Sequence, residues 1–134
     1  MFRTLIKREE SYAIHALINI ANNPGTNAHQ IASDLEMPPA FMAKVLRKLV
    51  KARFISSKMG RSGGVELLAK PKEINLVNLI EAISGPLVMD NCQIQKQCIT
   101  QKRTGHCKLN RVWHETSRDI RSILASVTLA ELCE

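Results

Sequence analysis

Three cysteines, Cys92, Cys98 and Cys107, fall in one polar stretch, with five residues between the first two and eight between the last two. A fourth, Cys133, sits beside the C-terminus. Thiolates bind soft metals and exchange disulfides. The spacing is wider than the Cys-x2-Cys knuckle of most structural zinc sites. Three thiols in one segment fit a soft metal or an iron–sulfur cluster. They equally fit a metal-free thiol–disulfide sensor or incidental free thiols. Lys96, Lys102, Arg103 and Lys108 lie nearby and are expected to favour thiolate.

A second constellation is cationic. Between Pro38 and Gly63 stand seven basic residues, Lys44, Arg47, Lys48, Lys51, Arg53, Lys58 and Arg61, and no Asp or Glu. The whole chain carries a formal net charge of +7. A local, acid-free run of this kind suits a polyanion such as nucleic acid. For any single lysine a solvated surface charge explains as much.

These residues need elements to position them. Tyr12, Ala13, Ala16, Leu17 and Ile20 recur at helical steps and predict a first helix over 9–21. Asn27, with Gln30 three residues on, opens a short second helix carrying Ile31 and Leu35. Pro38-Pro39 opens a third, with Met42, Val45, Leu46, Leu49 and Val50 as its buried stripe. Residues 54–58 and 65–68 read as a hairpin around Met59-Gly60-Arg61-Ser62-Gly63-Gly64. A fourth helix over 75–84 is capped by Asn75 and stopped by Gly85-Pro86. Residues 90–107 are poorly periodic and read as a loop.

A long last helix is predicted over 108–125. Its Leu109, Val112, Trp113, Thr116, Ile120, Ile123, Leu124 and Val127 run at near-heptad spacing, which suits a partner chain. Packing back onto its own domain is the alternative. Thr128 and Glu131 form a capping box for a final turn.

Three helices followed by a glycine-tipped hairpin make a winged helix-turn-helix. The fold class expected is mainly α, with a two-stranded wing and a long C-terminal dimerisation helix. Residues 1–86 would form the DNA-binding domain, 87–107 a cysteine-bearing sensor loop, and 108–134 the dimerisation helix and C-terminal turn. Pro39, Ala40, Phe41 and Lys44 would lie closest to base edges, and Arg47, Lys48 and Lys51 near phosphates. Lys58, Arg61, Ser62 and Gly63 would carry the wing's contacts.

Other classes recede. No stretch reaches the roughly 18 apolar residues of a membrane span, and MFRTLIKREE lacks a secretory apolar run. A cytoplasmic protein is expected. No motif sets a nucleophile beside a base, so no enzyme is expected. A basic adaptor that uses the winged helix only as scaffold is a further alternative.

SYAIHALINIA, the MPPAFMAKVLRKLVKARFISSKMGRSGGVELLAKP block, INLVNLIEAISGP and the ending VTLAEL resemble the IscR–NsrR–CymR (Rrf-two) family over nearly the whole chain. The resemblance implies a homodimeric regulator, commonly a repressor, on a palindromic double-stranded operator. It implies a 2Fe–2S or 4Fe–4S cluster held by Cys92, Cys98 and Cys107. That cluster would report redox state, nitric oxide or iron–sulfur status.

There are departures from the family pattern. The second cysteine gap is longer than in IscR or NsrR. The histidine that IscR-like proteins place three residues after the third cysteine is here Asn110, and the NsrR aspartate position is Ser11. A related 2Fe–2S regulator uses a histidine that matches His15. His15 of the partner subunit is therefore the expected fourth ligand, with Glu10, His106 and His114 behind it.

Overall fold

The computed structural model describes residues 1–58, 63–95 and 98–133. Arg61 and Ser62 of the wing tip, and Lys96 of the cysteine segment, lie outside the described residues. The chain is mainly helical with one two-stranded antiparallel sheet, as its sequence predicts.

Helix α1 (Arg8–Asn22) starts where the Lys7 backbone N–H donates to Glu10 Oε2 at 2.8 Å. It buries Ala13, Ala16, Leu17 and Ile20. Helix α2 (Ala28–Asp34) is capped by Asn27, whose Oδ1 accepts from the Gln30 N–H at 2.9 Å. Helix α3 (Pro39–Lys51) begins with proline in its first turn, where a missing N–H costs no intrahelical bond. Met42, Val45, Leu46 and Leu49 join the stripes of α1 and α2 in one core. Apolar burial of this kind, at about 25 cal/mol per Å², drives the assembly.

Val50 departs from its expected place in that stripe and is 38% exposed. It sits one residue past Leu49, about 100° further round the helix, and so turns off the buried face.

Arg53 takes a left-handed φ of 64° and turns the chain from α3 into the wing. Strand β1 (Ile55–Lys58) pairs antiparallel with β2 (Gly64–Leu67), from Ile55↔Leu67 to Lys58↔Gly64. Ile55 and Val65 point into the core. The wing's base docks on the turn before α2, where the Val65 N–H donates to the Thr26 carbonyl at 2.9 Å. At Gly64 a Cβ would lie 2.8 Å from that same carbonyl oxygen, so this close approach requires glycine.

Helix α4 (Leu76–Ser84) is capped by Asn75, accepting from Asn78, and ended by Gly85 at φ 86°. Its buried residues are Val77, Leu79, Ile80 and Ile83, with Leu76 only half-buried. The expected loop is partly ordered: a 3-10 turn spans Asn91–Gln93, and helix α5 covers Ile99–Thr104. The only large apolar residue of α5, Ile99, is 77% exposed, so the helix buries no apolar stripe, and Gly105 ends it in a left-handed conformation. Apolar periodicity therefore could not reveal it.

Helix α6 (Lys108–Ala125) and helix α7 (Leu129–Leu132), with its Thr128/Glu131 capping box, match their predicted places. The Leu129 N–H donates to the Ile74 carbonyl at 2.8 Å and ties the C-terminal turn back to the main core. Helix α6 projects from that core. Ser117 is its one buried residue, while Leu109, Val112 and Ile123 are 55%, 48% and 66% exposed.

Candidate nucleic-acid face and thiol segment

The core side of α3 is used by Met42, Val45, Leu46 and Leu49, which forces its other residues outward. Pro39, Ala40, Lys44, Arg47 and Lys51 are exposed there, as is Lys58 on the wing, and Gly63 is half-buried. Among the described residues, Lys44, Arg47, Lys51 and Lys58 enter no ion pair. Their charge is therefore available to an external anion.

Two residues of the expected DNA set are engaged within the fold. Phe41 is half-buried and meets the Tyr12 ring edge-on, with centroids 5.6 Å apart at 75°. The Arg8 guanidinium covers that tyrosine at 5.4 Å. Phe41 thus anchors the start of α3 to α1. Lys48 pairs with Glu9 at 2.9 Å and donates to the Ile83 carbonyl at 3.4 Å. It joins α3 to α1 and α4. Arg53, exposed between α3 and the wing, adds a cation beside this set.

A second polar surface runs along α6. Asn110, His114, Ser117 and Arg121 recur at three- and four-residue steps and so share a stripe. The backbone N–H of Asn110 donates to Cys107 Sγ at 3.4 Å, and its Nδ2 donates to Cys92 Sγ at 3.5 Å. Gln93 Nε2 donates to Ser117 Oγ at 3.1 Å. Arg121 forms an ion pair with Glu81 of α4, whose other oxygen accepts from the Leu87 N–H at 3.2 Å. His114 and Arg118 line a cleft of about 420 Å³ between α6 and this connector. The contacts span long sequence separations, so helical periodicity does not announce them.

Cys98 caps α5. The backbone N–H groups of Gln101 and then Thr100 hold its thiol below the usual value. Burial pushes the Cys133 thiol up. All four cysteines are free. Among the described residues, no three Cys, His, Asp or Glu side chains are gathered to hold a metal ion. The donor chemistry suits a cluster, and two of the three thiols already meet at Asn110.

His15 is exposed on α1, open to a second chain. Glu10 is buried, and its Oε2 accepts from the Lys7 N–H at 2.8 Å. His106 is exposed, with Nδ1 3.0 Å from the Thr104 carbonyl oxygen.

A family model described as "Rrf2: Iron-dependent Transcriptional regulator" matches residues 6–134. BadM of Rhodopseudomonas palustris, described as an HTH-type transcriptional regulator, is 32% identical over 95% of this chain and 80% of its own. The rrf2-like regulator of Rhodobacter capsulatus is 26% identical over 96% of this chain and 91% of its own. Among solved structures, CymR, the global cysteine regulator of B. subtilis, aligns with a TM-score of 0.74 at 21% identity. That alignment covers 98% of this chain and 96% of CymR. IscR of T. potens aligns at 0.70 and 22% identity, over 95% of this chain and 84% of its own. At such identities the two structures establish the fold.

Proposed function

Because the chain belongs to the Rrf2 family of transcriptional regulators, we propose that it is a homodimeric repressor that binds a palindromic double-stranded operator and senses through an iron–sulfur cluster. Family members are DNA-binding regulators and not enzymes. The observation that carries the DNA reading is the placement of unpaired Lys44, Arg47, Lys51 and Lys58 on the exposed side of α3 and the wing. Long, flexible cations on a helix that can enter the major groove give phosphate neutralisation. Pro39 and Ala40 would let the α3 backbone approach base edges.

The proposed division of labour follows the chain. Residues 1–86 bind DNA, 87–107 sense, and 108–134 pair the subunits. Support for pairing is the exposed apolar row Leu109, Val112 and Ile123 on α6. Two subunits related by a two-fold axis would present two α3 helices to half-sites one DNA turn apart.

Cys92, Cys98 and Cys107 would hold the cluster, with the partner's His15 as fourth ligand. Bound there, the cluster supplies an iron centre sensitive to redox state and nitric oxide. The chain's own residues transmit the state of the segment. Asn110 and Ser117 grip it from α6, Glu81 and Arg121 tie α6 to α4, and Lys48 ties α4 to α3. A change at the segment can thus reach the DNA-reading helix through polar contacts with two arrangements, made and broken.

A metal-free thiol switch is the second reading, favoured by the shared contact of Cys92 and Cys107 with Asn110. Two measurements on anaerobically purified protein test the proposal. Iron and labile-sulfide analysis should find both elements. Selection from genomic fragments followed by footprinting should return an inverted repeat. Colourless, iron-free protein would leave the thiol reading, and failure to enrich any duplex would refute regulation by this face.

A further inference from the structure

Asn110 stands in the first turn of α6 between two sulfurs. Its backbone N–H reaches Cys107 Sγ at 3.4 Å, and its carboxamide Nδ2 reaches both the Sγ and the carbonyl oxygen of Cys92 at 3.5 Å. The residue after Cys92 is pinned as well. Gln93 Oε1 accepts from the N–H groups of Met89 at 2.6 Å and Asp90 at 3.1 Å, while its Nε2 holds Ser117 Oγ. Cys92 and Cys107 are therefore brought to one residue from distant places in the chain. Cys98 stands at the N-cap position of α5, with no hydrogen bond to Asn110 among the described residues, and Cys133 packs against the main core.

We propose that Cys92 and Cys107 form the oxidisable pair of the cluster-free protein, joined as a disulfide by hydroperoxides, with Asn110 as the positioning residue. The pair's regulatory meaning rests on the sensing role given above to residues 87–107. One thiolate attacks a peroxide oxygen: an S–O bond forms, the O–O bond breaks, and the departing oxygen leaves as water or an alcohol. The second thiolate attacks the resulting sulfenic sulfur: the S–S bond forms, the S–O bond breaks, and hydroxide leaves as water. Two thiols and one hydrogen peroxide thus give one disulfide and two waters. Two electrons pass from sulfur to peroxide. The bond of about 2 Å would join the Asn91–Gln93 turn to the start of α6. The disulfide withdraws two of three thiols from a cluster, so the two states exclude each other.

The test treats reduced, cluster-free, full-length protein with hydrogen peroxide, blocks residual thiols by alkylation and maps the cross-linked peptides by mass. The expected product is a Cys92–Cys107 link, formed equally in Cys98→Ser. Asn110→Asp keeps the side-chain size but has no hydrogen to give Cys92. It should slow linkage at least about tenfold with an unchanged melting curve, because pre-placed groups react faster than free ones. Asn110→Gln, which keeps a donor, should recover part of that rate. A principal link through Cys98, or equal rates in Asn110→Asp and the parent, would overturn the proposal. Mapping in Cys98→Ser decides the pairing even if a position-110 variant unfolds. Iron and sulfide analysis of the native protein judges the cluster separately, so one failure is not mistaken for the other.

Discussion

Lys48 of α3 and Glu9 of α1 form an ion pair at 2.9 Å that joins the two helices. The same ammonium donates to the Ile83 carbonyl of α4. A lysine inside the basic run therefore braces the helix that its neighbours use. Lys48→Ala should lower stability by about 0.2–1 kcal/mol, the range for partly exposed pairs, read as a small fall in the urea midpoint. Its effect on the salt dependence of DNA binding should be smaller than that of Lys44→Ala. An equal loss of salt slope in both variants would put Lys48 at the phosphates instead.

Gly64 offers a sharper perturbation. A methyl group there would sit 2.8 Å from the Thr26 carbonyl oxygen, a backbone atom that can yield only by moving the turn before α2. Gly64→Ala should destabilise by about 1–3 kcal/mol, the usual cost of overpacking, and shift the wing off its seat. Thermal unfolding and DNA affinity should fall together. A variant with the parent's melting temperature would show that the wing base is looser than described.

The thiols should be separable by pH. The Cys98 thiol is held below the usual value by the Gln101 and Thr100 N–H groups, so its thiolate persists to lower pH than that of an ordinary cysteine. Burial raises the Cys133 value, so its thiolate appears only at higher pH. In cluster-free, reduced protein, iodoacetamide should label Cys98 before Cys133, and the gap should narrow as pH rises. Mass mapping between pH 6 and 9 would read this order. Faster labelling of Cys133 would contradict it.

Helix α6 should be the dimer contact. Val112 and Ile123 are largely exposed in the single chain, so replacing them with charge does not injure the subunit core. Val112→Glu with Ile123→Glu should give folded monomers by sedimentation and a loss of operator affinity, because half-site pairing is lost. A double variant that remains a dimer would move the interface elsewhere.

Elements closed by local chemistry were legible in the sequence. Asn75 and Gly85 bracket α4, and Thr128 with Glu131 opens α7, because caps act within three or four residues. Helix α5 escaped because nothing apolar marks it and Ile99 stays exposed. The exposed cations of α3 and the wing were legible as a run of charge, but not the diversion of Lys48 to Glu9, which depends on how α1 packs on α3. The thiol segment was legible as composition alone. Its grip on α6 through Asn110 and Ser117 joins residues far apart in sequence, which periodicity cannot encode.

The salt dependence of duplex binding by the parent and by a Lys44→Ala, Arg47→Ala, Lys58→Ala variant tests the cationic face most directly. Fluorescence anisotropy across a range of salt concentrations should give a steep fall for the parent. For the variant the slope should be shallower by about 0.9 for each phosphate contact removed. A folded variant with the parent's slope and affinity would mean that DNA, if bound at all, lies on another surface.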